Sequence, residues 1–178
     1  DLIKINNFDL ICNDEWVEDK TYNTKKFWSY GPFEKDFYEN LILFGNRNST
    51  SASSVKKNFL INNKINFNEK KIFVTAEDYD FFLKIAFHGG VFHYLHEPLG
   101  THVFHEKSES AKLTRLFKAQ MNVLKFHSFK IQKFSNKNKL WEKVKDMNNI
   151  KYYLFYLKNK RNFSKFFSFI LAIFKRPF

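Results

Sequence analysis

Glu77-Asp78-Tyr79-Asp80 is the densest acidic cluster of the sequence. Thr75-Ala76-Glu77-Asp78 has the Ser/Thr-x-x-acid pattern that opens a helix by reciprocal capping, and acids in a first turn are favoured by the helix dipole. On that reading the carboxylates hold a helix end in place. On the other, a carboxylate at a helix start stays ionised and serves as a general base. Asp78-Tyr79-Asp80 also spells a D-x-D metal pattern, but positions two apart in a helix point about 200° apart, too far round to grip one ion. Four histidines, His93, His96, His102 and His105, fall at three-residue spacings. On strands, residues three apart face opposite sides, so neither pair chelates a metal alone, and a single histidine acting as ligand or hydrogen-bonding group is the simpler expectation. Cys12 sits in an apolar, strand-like run with no base beside it, which argues against a nucleophile. No Gly-rich phosphate cradle and no Ser-His-Asp signature accompanies these residues.

The elements that must position them follow from periodicity and breakers. FDLICND (8–14) reads as a short strand running into a loop, and 15–34 as mixed, with Gly31 and Pro32 as breakers. Asp36 to Phe44 is predicted helical, with Phe37, Leu41 and Phe44 on one stripe and Gly45 ending it. Thr50 to Val55 is predicted extended. Asn58 is placed as the cap of a short helix ending near Asn62 or Asn63. The run from Thr75 is predicted as a capped helix with Tyr79, Phe82, Ile85 and Ala86 inward, closed by Gly89-Gly90. VFHYLHE (91–97) reads as a strand, interrupted at Pro98 and Leu99 before a second extended piece, 101–106. Ser108 or Ser110 then caps a long helix through Leu113, Leu116, Phe117, Met121 and Leu124, and the rest is basic helix.

The 178 residues, 44% apolar and 27% charged, fit one globular domain with an appendage and exclude a disordered or collagen-like chain. A single cysteine rules out an internal disulfide framework. No run reaches the roughly 18–20 apolar residues of a spanning helix, and the N-terminus lacks a signal-peptide layout. The 24 phenylalanines sit beside only 6 alanines and many Asn, Lys and Ile, the bias of an AT-rich genome, so they are weak evidence for stacking on bases or sugars. Charge is divided: residues 1–106 carry 12 Lys and Arg against 15 Asp and Glu, a net −3, whereas 107–178 carry 18 against 3, a net +15. Phe163 to Phe174, flanked by Lys158, Lys160, Arg161, Lys175 and Arg176, reads as an amphipathic helix too short to span. It suits an anionic membrane interface, or equally a terminal helix packed on its own domain. Nucleic acid ranks third, because no zinc-finger, RNP or helix-turn-helix signature accompanies the charge.

Four blocks in order resemble the C-terminal half of family 2 glycosyltransferases, which have the GT-A fold. FDLICND resembles the strand after the family's first half. NRNSTSASSVKK resembles its Asn...Thr-Ser-Ser-Val...Arg-Arg block, EDYDFFLKIAFHGG its Glu-Asp-x-Asp helix, and EPLGTHVFHEKSES its Pro-Leu-x-x-Tyr-Arg-x-His-x-x-Ser-x-Ser block. The resemblance covers about residues 8–127. It implies an α/β fold: residues 1–130 as the acceptor-side, C-terminal half of a GT-A-like (Rossmann-like) domain, and 131–178 as a basic helical tail with amphipathic segment 163–174. It implies an inverting transferase that moves a sugar from a nucleotide-diphosphate donor to a glycan or lipid-linked acceptor in bacterial surface polysaccharide synthesis. In that scheme Asp78 is the base, Glu77 its acceptor-side partner, Ser51 and His102 donor or acceptor contacts, and His105 a metal ligand. The divalent metal, Mn or Mg, would draw most of its ligands from outside this chain. Two departures stand out: the family's Tyr-Arg is His102-Val103 here, and its nucleotide-binding first half is absent. The chain is therefore expected to be a fragment, inactive alone, cytoplasmic and peripheral on the inner face of the cell membrane. The alternative is a non-catalytic basic module that binds a membrane surface or nucleic acid.

Overall fold

β1 (Leu10–Asp19) is bonded along both of its edges and carries the rest of the sheet. The structure, a computed structural model, describes residues 7–20, 22–104, 113–131 and 136–160. On one edge β1 meets β3 (Ser53–Val55) through its first residues and β2 (Thr24–Trp28) through its last, both antiparallel. On the other it runs parallel to β4 (Phe92–Phe104) along its whole length. Helices α1 (Phe37–Phe44), α2 (Lys57–Asn62), α3 (Glu77–Phe87), α4 (Leu113–Phe126) and α5 (Lys137–Lys160) complete a mixed α/β arrangement, with a π turn, His127–Ile131, at the end of α4.

Period-two alternation buries Leu10 and Cys12 of β1 with Phe92 and Tyr94 of β4. Leu41 and Ile42 of α1, Phe82, Leu83 and Ile85 of α3, Val123 and Leu124 of α4, and Val144 of α5 close on them as one core. Val144 lies within the predicted basic tail, so the first part of that tail is packed structure. Burial of each such side chain is worth roughly 1.5–3 kcal/mol.

Local expectations held where periodicity was strong. The helix expected over 36–44 forms as α1 and ends at Gly45, whose N–H bonds Leu41 O at 2.9 Å. α3 ends at Phe87, and the chain leaves it through Gly89, with φ of 76°. A Cβ on Gly90 would lie 2.6 Å from Ile85 Cγ2 and 3.0 Å from Ile85 O, so the chain can turn back only with glycine there.

Several expectations are corrected. Thr75 does not cap α3: it sits at a φ of 84°, its hydroxyl has no hydrogen-bond partner among the described residues, and Ala76 takes the cap position. Asn58 is likewise inside α2, whose cap position is Lys56. The strand expected to stop at Asp14 continues to Asp19 and pairs antiparallel with β2, Glu15 opposite Trp28 and Asp19 opposite Thr24, where mixed structure was expected. The break at Pro98 is a bulge within one strand. The partner of Asn13 is Leu95, that of Asp14 is Pro98 and that of Glu15 is Gly100. Proline has no N–H to give a ladder and is accommodated at such an irregularity. The helix cap expected at Ser108 or Ser110 lies outside the described residues.

Candidate functional site

Two loops, the start of α3 and the far end of β4 enclose a cleft of about 570 Å³. Residues 28–31, leaving β2, form one wall, residues 46–51, following α1, form the other, and Asp78 and His102 complete the lining. The walls are tied together. Gly31 N–H donates to Arg47 O at 3.2 Å, and Arg47 Nη1 donates to Pro32 O at 3.2 Å and to Glu34 Oε2 at 3.0 Å. Beneath them, Tyr94 O–H donates to the buried Asn48 Oδ1 at 2.7 Å. Gly31, at a φ of 88°, lies against the Tyr94 ring, where a Cβ would come within 2.7 Å, so only glycine brings the backbone this close.

Asp78 is half-buried at the start of α3, and its Oδ1 accepts the Tyr79 N–H at 2.7 Å. Burial pushes its carboxyl above the ordinary carboxylate range. The Tyr79 N–H opposes that shift, and the neighbouring Glu77 charge adds to it. The nearby ion pairs take other carboxylates: Arg47 pairs with Glu34 at 3.0 Å and Lys84 with Asp80 at 2.6 Å. An acid that faces a cleft, is partly desolvated and is not closed into an ion pair suits proton acceptance.

Asp80 goes elsewhere. It is fully buried, and its Oδ1 accepts from His127 Nε2 at 3.0 Å while Lys84 Nζ lies against Oδ2 in ion-pair geometry. Asp78 and Asp80 therefore serve opposite sides of α3, as the angular argument against a shared metal required. Glu77 does not line the cleft, although its Oε2 is buried without a hydrogen-bond partner among the described residues.

Of the five site residues expected from sequence, Asp78, Ser51 and His102 meet in this one cleft, from three separate elements. His105 and the amphipathic segment 163–174 lie outside the described residues. The described histidines do not converge on one another: His93 stacks on Phe8 at 4.3 Å, His96 meets Asp14 at 3.3 Å, and His102 is at the cleft. Among the described residues no three His, Cys, Asp or Glu side chains form a metal cage. Asp78 is the one carboxylate among the described residues that line the cleft, which also carries Arg47, and that donor set does not fit a divalent cation. Cys12 is fully buried and burial pushes its thiol up, the state of an inert packing residue.

Sequence reasoning missed two carboxylates that hold the cleft in shape. The bulge in β4 upsets the alternation of β1, so the consecutive Asp14 and Glu15 are both buried, at 1% and 3% exposure. Asp14 Oδ1 accepts the Tyr30 N–H at 2.9 Å and its Oδ2 accepts the Ser29 hydroxyl at 3.2 Å. Glu15 Oε2 accepts the Tyr30 hydroxyl at 2.8 Å and Oε1 the Ser51 hydroxyl at 2.9 Å, joining one wall to the other. Ser29 and Asp14 both approach His96 at the same ring nitrogen, Nδ1, so the three form a cluster and not a Ser-His-Asp relay. The available signal was the acidic pair at the end of an apolar run, which reads as a loop unless the strand is carried on to Asp19.

No protein-family model, curated protein or solved structure matches the chain. No helix among the described residues is long and apolar enough to cross a membrane.

Proposed function

We propose that this chain is the acceptor-side half of an inverting glycosyltransferase with a GT-A-like fold, in which Asp78 accepts the proton of the attacking sugar hydroxyl. The observation that carries the reading is the meeting of Asp78, Ser51 and His102 in one cleft. The acceptor hydroxyl gives its proton to Asp78 as its oxygen bonds the anomeric carbon. The bond from that carbon to the donor's diphosphate breaks on the opposite face, and its electron pair leaves with the diphosphate. Serine, threonine and asparagine side chains at residues 46–51 offer donors and acceptors in the pattern that saccharide hydroxyls require. The nucleotide sugar, and the divalent metal that commonly offsets diphosphate charge, would be held by residues other than those lining the cleft. The expected location is the inner face of a membrane, with a glycan or lipid-linked acceptor.

The test is Asp78→Asn in the enzyme complete with its nucleotide-binding half. Transfer to a saccharide acceptor, followed by mass spectrometry, should fall about 10²–10⁴-fold while donor binding survives. In the parent, the acidic limb of the rate profile should lie above the ordinary carboxylate value of 3.8, because the base must be ionised and burial raises it. Near-normal turnover of the variant overturns the assignment. A variant that loses only about 1 kcal/mol of stability, with no change in saccharide binding or transfer, would reduce Asp78 to a helix-starting acid.

A further inference from the structure

α5 turns one face to the protein and leaves an apolar stripe on the other. On the inner face Val144 is fully buried, Tyr152 stacks on Phe117 of α4 at 4.3 Å, and Lys151 Nζ donates to Phe44 O at the end of α1 at 2.8 Å. On the outer face Ile150, Tyr153 and Leu154 are 37%, 43% and 50% exposed. Their i, i+3, i+4 spacing makes them one patch. One turn and more toward the N-terminus, the same face is charged, with Lys139, Glu142, Lys143 and Asp146 exposed. The outward surface thus changes from charged to apolar along a single helix, unlike the isolated apolar residues ordinary on surfaces.

Charge says what covers the patch. Residues 107–178 are net +15, and the sequence after Leu154 continues with Lys158, Lys160 and Arg161 before the apolar run 163–174. An anionic bilayer offers both an apolar layer for isoleucine and leucine and phosphates for the lysines. A nucleic acid would use the cations and leave the apolar side chains uncovered.

We propose that the outer face of α5 at Ile150, Tyr153 and Leu154 docks on an anionic lipid bilayer. The Lys151–Phe44 bond sets this stretch of α5 against the end of α1, the helix from which the loop bearing Arg47 leaves for the cleft. Docking itself does not depend on the transfer reading.

The experiment uses the full 178-residue chain and vesicles of phosphatidylcholine with or without phosphatidylglycerol. Sedimentation should show binding to the anionic vesicles only, weakening with salt. Ile150→Ser with Leu154→Ser should lower partition about tenfold, at an unchanged melting temperature because both positions are exposed. Cys12 is buried, so Leu154→Cys can be labelled with a polarity-sensitive dye, whose emission should shift to the blue on anionic vesicles. Equal binding of the double variant, or unshifted emission while the chain is bound, overturns the proposal, as does stronger retention by RNA than by vesicles. No sugar enters the assay, so failure here leaves the transfer reading untouched.

Discussion

Glu15 ties the two walls of the cleft together, and Asp78 is the residue to which the proposed chemistry is assigned. Asp78 was legible because acids clustered at a helix start stand out in any sequence. Glu15 was not, because its importance arises from two hydroxyl donors that approach from residues 30 and 51, which the sheet brings together. Removing the acceptor breaks both bonds and leaves Ser51 only its contact with the Ser49 hydroxyl, so Glu15→Ala should cost about 1–3 kcal/mol in denaturant unfolding. Glu15→Gln keeps an acceptor oxygen and should recover part of that loss. If Glu15→Ala unfolds at the parent's midpoint, the two walls are held by something other than this carboxylate.

The elements behind the cleft are joined by a buried chain of polar groups. Tyr38 of α1 meets His127 Nδ1 at 3.0 Å, His127 Nε2 meets Asp80 Oδ1 of α3, and Lys84 of α3 closes the series. Burial holds His127 below its ordinary value of 6.5, although Asp80 opposes that shift. The neutral ring then donates from Nε2 to Asp80 and accepts the Tyr38 hydroxyl at Nδ1. Burial alone would raise Asp80, but hydrogen bonds from His127 and Lys84 outweigh it and hold the carboxyl below 3.8. For both groups the unfolded chain binds the proton more tightly, so stability falls on acidification, through His127 below about pH 6.5 and through Asp80 below about 3.8. Asp78, raised in the folded state, acts in the opposite sense over the interval just above 3.8. The melting temperature should therefore drop between pH 7.5 and 5.5, and His127→Gln should flatten that slope. A slope of the same steepness in the variant would place the proton uptake elsewhere. The helices themselves were readable from apolar spacing. Thr75 misled because its backbone is left-handed, which no side-chain pattern announces, and β2 was invisible because all five of its residues are exposed and carry no inward stripe.

Across the whole molecule, the class of fold was legible in the order of runs and breakers, while the sheet order was not. β1 has antiparallel partners on one side and a parallel one on the other, and such long-range pairings leave little trace in local composition. The end of β4 shows how much depends on that pairing. Its irregular stretch from His96 to Gly100 sets the phase in which the final residues meet β1, and so decides that His102 reaches the cleft. Leu99 has no partner on β1, so deleting it should leave His102 opposite Val17, whereas deleting the paired Thr101 should bring Val103 there instead, in place of His102 at the opening. Equal saccharide binding by the two deletants would disprove this. Length changes at the unpaired bulge are thus absorbed where they occur, whereas one residue gained or lost beyond it would exchange the side chain at the opening.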